Sequence, residues 1–102
     1  MINKNMLKQM QDMQAKMARA QEELESEVVT GSSGGGVVTA SANGHQRLTS
    51  VTITAEALEE GAEILSDLVL AACNDALEQS RNRASEAMAK ATAGLSLPPG
   101  IL

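Results

Sequence analysis

Seven cations stand out by type and spacing. Lys4, Lys8, Lys16 and Arg19 recur at helical intervals near the start of the chain, and Arg81, Arg83 and Lys90 share one stretch near its end. Ammonium and guanidinium groups along a helix suit one chemistry above others. They neutralise phosphates and release counterions without reading base sequence. Residues 1–20 and 79–93 hold these seven bases against only Asp12 and Glu86, a local charge of +5. The rest of the chain sets Arg47 against eleven acids, a charge of −10, and the whole chain carries −5. A basic part that engages a polyanion and an acidic part that repels it is one reading. Ordinary helix electrostatics is the other. It accounts for acids near the start and bases near the end of the second long helix, whereas bases at the start of the first helix oppose its dipole.

Other chemistries find less support. Cys73 and His45 are the single cysteine and histidine of the chain, which excludes an internal disulfide and a Cys/His zinc site within one chain. As a nucleophile and base they are poorly matched, because Cys73 falls in an apolar helical stripe, where it is expected as a small buried hydrophobe, and His45 falls at a hairpin tip. The run Gly31-Ser32-Ser33-Gly34-Gly35-Gly36 is not a phosphate-binding P-loop, because Val37-Val38 follow where Lys and Ser/Thr are needed. It is expected as a loose hairpin connection. Glu59 and Glu60 form a solvated face rather than an acid–base couple. No catalytic residue, metal, cofactor or small-molecule substrate is expected, and the chain is not expected to be an enzyme. With no Phe, Trp or Tyr, stacking platforms for single-stranded nucleic acid are missing.

These residues must be positioned by a small domain, expected as one unit over residues 1–102. The order reads helix, strands, helix: an α+β fold of α-β-β-β-α type, with a three-stranded antiparallel sheet between two long helices. Residues 2–26 form the first helix, capped by Asn3. Met6, Met10, Met13, Met17, Ala20 and Leu24 give it a heptad seam. The seam is expected to pack on the second long helix; an adaptable methionine surface for a protein partner is the alternative. At roughly 37 Å, that helix is longer than a compact domain needs, so part of it is expected to project. Strands fill about 27–54, the first from Glu27 to Thr30. Asn43-Gly44 signals a type I′ turn at the hairpin tip. That register puts Val38, Ala40, Ala42, His45, Arg47, Thr49, Val51 and Ile53 on one face and leaves Leu48 on the other.

Thr54 caps a short helical turn ending near Gly61. A helix over about 62–92 follows, with Ile64, Leu65, Leu68, Val69, Ala72 and Ala76 as its opening apolar face. Asn74-Asp75 is expected to hydrogen-bond to the sheet or to a partner copy. Gly94 and Pro98-Pro99 stop the helix, and Leu95 to Leu102 form an apolar tail. The two long helices, lying antiparallel, bring their far ends into one arm. A core without aromatics buries little area, so an oligomer is expected. The longest apolar run, Leu68–Cys73, is too short for a membrane span, and a cytoplasmic protein is expected.

Val29-Thr30-Gly31-Ser32-Ser33-Gly34-Gly35-Gly36-Val37-Val38, Asn43-Gly44, the stretch from Asp67 to Ala76, Leu97-Pro98-Pro99-Gly100 and the Met/Gln-rich opening together resemble the YbaB/EbfC nucleoid-associated family. The resemblance covers nearly the whole chain in order. It implies a bacterial homodimer shaped like tweezers, whose sheets form the body and whose helical arms grip double-stranded DNA in the nucleoid with low sequence specificity. On that reading Lys4, Lys8, Lys16, Arg19, Arg81, Arg83 and Lys90 are the DNA-contacting residues. The alternative, from another class, is a helical protein–protein interaction module that uses the Met-rich arm.

Overall fold

The structure is a computed structural model and describes residues 3–93. The elements are α1 (Lys4–Ser26), β1 (Val29–Ser33), β2 (Val38–Ala42), β3 (Leu48–Ile53), α2 (Ala55–Leu58) and α3 (Ala62–Ala91). The strands form one antiparallel sheet in the order β1-β2-β3. The expected helix stop at Gly94, the Pro98-Pro99 pair and the apolar tail lie outside the described residues.

Both expected caps form. The Asn3 Oδ1 accepts from the Met6 N–H at 2.8 Å, and the Thr54 hydroxyl accepts from the Ala57 N–H at 3.2 Å. Each satisfies a backbone donor that the first helical turn leaves open. Thr54 also donates through its hydroxyl to the Val37 carbonyl at 2.9 Å, which ties the start of α2 to β2.

The core lies between one face of the sheet and α3. Val38, Ala40 and Ala42 alternate inward along β2 and are fully buried with Ala57, Ala72 and Ala76. Leu65, Leu68, Val69 and Cys73 pack around them. The expected core face of α3 therefore holds, except that Ile64 is exposed. Small residues dominate because the helix comes close. A Cβ at Gly31 would stand 2.7 Å from the Ala72 carbonyl oxygen, so only glycine lets α3 cross β1 there. Asp75 bonds the sheet as expected: its Oδ2 accepts from the Ser32 N–H at 3.0 Å.

Three expectations are corrected. First, β1 runs from Val29 to Ser33, not from Glu27 to Thr30. Half of the supposed loose loop is strand, because Gly31 is needed under α3. The actual turn is Gly34–Gly36, all with φ between 60° and 98°. Second, Asn43-Gly44 makes no two-residue hairpin. Val38 pairs with Ile53 and Ala40 with Val51, four residues beyond the expected register, and the connection spans Asn43–Arg47. The Asn43 Oδ1 accepts from the N–H groups of His45 and Arg47, and Gln46 takes the positive φ of 59°. Gly44 serves close approach instead: its N–H donates to the Leu24 carbonyl at 2.8 Å, and a Cβ would meet the Leu24 side chain at 2.6 Å. A four-residue shift preserves side-chain parity, so Val51 and Ile53 still share the face of Val38 and Ala40. Third, a bulge beside Ser41/Ala42 brings Leu48 opposite Ala42, onto the face from which it was excluded.

The sheet is covered unevenly. α3 lies over β1 and β2, and every residue of β3 is exposed. Leu48, Val51 and Ile53 keep 39%, 43% and 39% of their surface in water. The long helices stretch the molecule to 67 × 24 × 16 Å, with a radius of gyration of 19.2 Å against about 13 Å for a compact chain of this length.

Candidate nucleic-acid interface

α1 and α3 run antiparallel. Glu27 meets Arg83 at the sheet end, and the Gln21 side chain donates to the Met88 sulfur at 3.7 Å two turns further out. This spacing sets the last turn of α3 opposite Lys16–Ala20. Some 12 residues of α1, roughly 18 Å, run on past it. The methionine seam records the change. Leu24 is 1% exposed and Ala20 9%, Met17 and Met13 are half-buried, and Met10 and Met6 reach 44% and 48%. The sheet end of the seam packs as expected, while the distal end lies open with Leu7 beside it.

A clasp sets the relation of the two helices. The Asn43–Arg47 connection reaches α1 through Gly44 and through His45, whose Nε2 lies 2.8 Å from the Gln21 carbonyl. It reaches α3 through Ser80, which is wholly buried. The Ser80 hydroxyl donates to the Asn43 carbonyl and accepts from the Gln46 backbone N–H at 2.9 Å and the Gln46 Nε2 at 3.2 Å. One short loop thus touches both helices where they leave the sheet. His45 commits its Nε2 to this contact, and Cys73 packs against the core.

Beyond the clasp the helices leave a groove of about 290 Å³. Lys16, Arg19, Arg83 and Lys90 line it together with Glu23, Glu27, Ala20, Leu24, Ala87 and Ala91. Four of the seven sequence-selected cations therefore converge on one groove from two helices. The other three do not. Lys4 and Lys8 lie exposed on the part of α1 that passes the end of α3. Arg81 is two residues from Arg83, about 200° around the helix, and so stands on the opposite flank.

The four groove cations are not equivalent. The Arg83 guanidinium grips Glu27 with two parallel bonds, Nε to Oε2 at 2.7 Å and Nη2 to Oε1 at 2.8 Å, and its Nη1 reaches Glu86 at 3.1 Å. The hydrogen bond from Arg83 holds the Glu27 carboxyl below its ordinary range, with the charges of Arg83 and Lys90 adding to the effect. The bonds to Glu27 and Glu86 in turn raise Arg83 above its ordinary value. Among the described residues, Lys16, Arg19 and Lys90 form no ion pair. The first turn of α1 contains no acid, so its lysines face a positive helix end without relief.

Sequence reasoning missed Glu27, Glu86, Gln46 and Ser80 as residues that shape this site. Ser80 did carry a signal: it continues the stripe of Ala72 and Ala76 at four-residue spacing, so a hydroxyl there had to be buried. Glu27 carried none, since its partner lies 56 residues away.

An open three-stranded sheet backed by one long helix, with a groove between two helices lined by four cations, defines a small α+β protein whose cations gather on helices and not in an enclosed pocket. Among the described residues no three His, Cys, Asp or Glu side chains cluster to hold a metal ion, and no helix is long and apolar enough to cross a membrane. The model of the YbaB/EbfC DNA-binding family matches residues 1–95. Nucleoid-associated proteins of Bacillus thuringiensis (strain Al Hakam) and Bacillus cereus (strain AH187) are each 49% identical over 98 residues, covering 95% of this chain and 90% of theirs. An uncharacterized protein of Helicobacter pylori has a similar solved structure, with a TM-score of 0.68 and 24% identity over 84% of this chain and 92% of that one. That likeness concerns the fold alone. The chain belongs to the YbaB/EbfC DNA-binding family.

Proposed function

We propose that this protein binds double-stranded DNA in the bacterial nucleoid, with low sequence specificity, as a homodimer whose two-helix arms contact phosphates. The observation that carries the reading is the convergence of Lys16, Arg19 and Lys90, all without ion-pair partners among the described residues, on one groove of an acidic protein. Lys4 and Lys8 extend the contact along the projecting part of α1, and Arg81 adds charge on the outer flank of α3. Arg83 joins when its carboxylates yield it. No side-chain set of a base-reading motif accompanies these cations, so binding is sequence-tolerant. The protein is not an enzyme on this reading and works in the cytoplasm.

The second copy joins through β3. An edge strand normally carries a lysine, a proline or an inward charge against unwanted pairing. Leu48-Thr49-Ser50-Val51-Thr52-Ile53 has none, and all six residues are exposed. Equilibrium sedimentation together with duplex titrations at several salt concentrations tests both points. The expected result is a dimer whose affinity falls steeply as salt rises. A monomer, or a flat dependence of log K on log salt, contradicts the reading.

The exposure of Met6, Leu7 and Met10 favours a second reading, in which distal α1 binds an apolar protein surface. It expects no retention on DNA at physiological salt and loss of the protein partner in a Met10→Ser, Met13→Ser variant.

A further inference from the structure

We propose that Glu27 is a built-in competitor for phosphate at Arg83, so that the groove engages DNA fully only when this carboxylate is displaced. The inference rests on the duplex-binding reading above and concerns the regulation of the same groove. A guanidinium fork accepts a carboxylate and a phosphate in the same geometry, through two parallel N–H donors. In the free protein Glu27 takes both donors, at 2.7 and 2.8 Å, and Glu86 takes the remaining nitrogen. Arg83 lines the sheet end of the groove whose outer part Lys16, Arg19 and Lys90 line, so a phosphate backbone drawn in by those three and followed along the groove reaches it.

Nothing local requires the pair. Arg83 and Glu27 keep 38% and 29% of their side-chain surface in water, and pairs this exposed add little to folding. Glu27 stands just past α1 in extended backbone, and its helix-capping contact is made by its own N–H to the Glu23 carbonyl. The side chain can therefore swing away without unwinding the helix. Glu23 supplies an internal comparison, since it lines the same groove but forms no ion pair with Arg83.

The experiment titrates a duplex of unrelated sequence against wild type, Glu27→Gln, Glu23→Gln, Glu27→Asp and the double variant Glu27→Gln/Arg83→Gln across salt concentrations. Circular dichroism and sedimentation check that each variant is folded. Glu27→Gln is expected to bind about fivefold or more tighter, with a salt slope steeper by about one, because one more phosphate is neutralised. Glu23→Gln removes the same charge from the groove and is expected to gain less, with the slope unchanged. Glu27→Asp keeps the charge but is too short to fill the fork, and is expected to steepen the slope as well. The double variant is expected to lose the gain. If Glu27→Gln only equals Glu23→Gln, or the double variant keeps the whole gain, this proposal fails while duplex binding stands. If wild type does not bind, binding by Glu27→Gln supports the proposal. Silence from every variant overturns both.

Discussion

Ser80 and Gln46 hold each other across the junction of α3 with the sheet: one buried hydroxyl accepts both the backbone N–H of Gln46 at 2.9 Å and its side-chain Nε2 at 3.2 Å. The same hydroxyl donates to the Asn43 carbonyl, so its one proton and both lone pairs are used. Gln46 sits at φ 59°, a region that residues with a Cβ rarely adopt, and this triple contact holds it there. Ser80→Ala should leave two backbone groups, the Asn43 carbonyl and the Gln46 N–H, without this partner at a part-buried site. The expected cost is about 1–3 kcal/mol, read as a lower midpoint in urea unfolding. The arm should loosen with it, seen as faster amide exchange at Gly44.

The packing of Gly31 under α3 should be still less forgiving. Gly31→Ala would set a methyl group 2.7 Å from the Ala72 carbonyl oxygen, and helix backbone cannot give way as a flexible side chain can. Either α3 lifts from β1 or β1 bends. Overpacking of this kind costs about 1–3 kcal/mol and sometimes more, a large part of the stability of a chain this short. Thermal melts should show a sharply lower Tm. An unchanged melt would mean that α3 crosses the strand elsewhere.

These two sites also divide what was legible in the sequence from what was not. Caps and faces are local properties: Asn3, Thr54 and the alternation of Val38, Ala40 and Ala42 could be read from neighbours a few residues away. The hairpin could not. Asn43-Gly44 has the local chemistry of a tight turn, but Leu24 on α1 and Ser80 on α3 recruit the loop and impose a wider one. The same holds for charge. Counting bases gave Arg83 the same standing as Lys90, whereas Glu27, distant in sequence, occupies its fork. Arg81 and Arg83 were separable by helix geometry alone, since two residues turn the chain by about 200°.

The proposed homodimer, joined through the exposed face of β3, can be tested at Val51. Val51 is 43% exposed and lies opposite Ala40, so Val51→Lys places a charge on an uncharged edge strand without burying it in the chain's own core. The fold should survive, and sedimentation should shift from dimer to monomer. A Val51→Lys protein that stays dimeric would send the search for the interface to Leu58, Ile64 and Leu70, which are also exposed.

The groove predicts a graded response to the removal of cations. Lys16→Ala, Arg19→Ala and Lys90→Ala together take away three charges that no carboxylate neutralises among the described residues. For every phosphate no longer neutralised, the salt slope should fall by about 0.9. The triple variant should therefore drop by roughly two to three units of slope and weaken at least about tenfold on every duplex. Arg81→Ala, on the far flank of α3, should cost less. Equal effects would mean that the whole arm acts as a diffuse charge and that the groove has no special standing.

The pair of Glu27 and Arg83 predicts a pH dependence whose sign follows from the direction of the shift. The hydrogen bond from Arg83 lowers the Glu27 carboxyl below its ordinary value of 4.5 in the folded protein. A group lowered on folding contributes its stabilisation above the unfolded value and loses it as pH falls through the folded one. At neutral pH Glu27 is charged and the pair is intact, so pH does not release Arg83 there. Acidification below the ordinary value of 4.5 removes the contribution, and the melting temperature of wild type should fall slightly further there than that of Glu27→Gln, which has no proton to gain at this site; the margin is small because the pair is solvent-exposed. Differential scanning calorimetry of the two proteins over the same buffers reads the difference. Parallel curves would mean that the carboxylate is not held by Arg83 in solution, and the fork would then stand open to phosphate in the free protein.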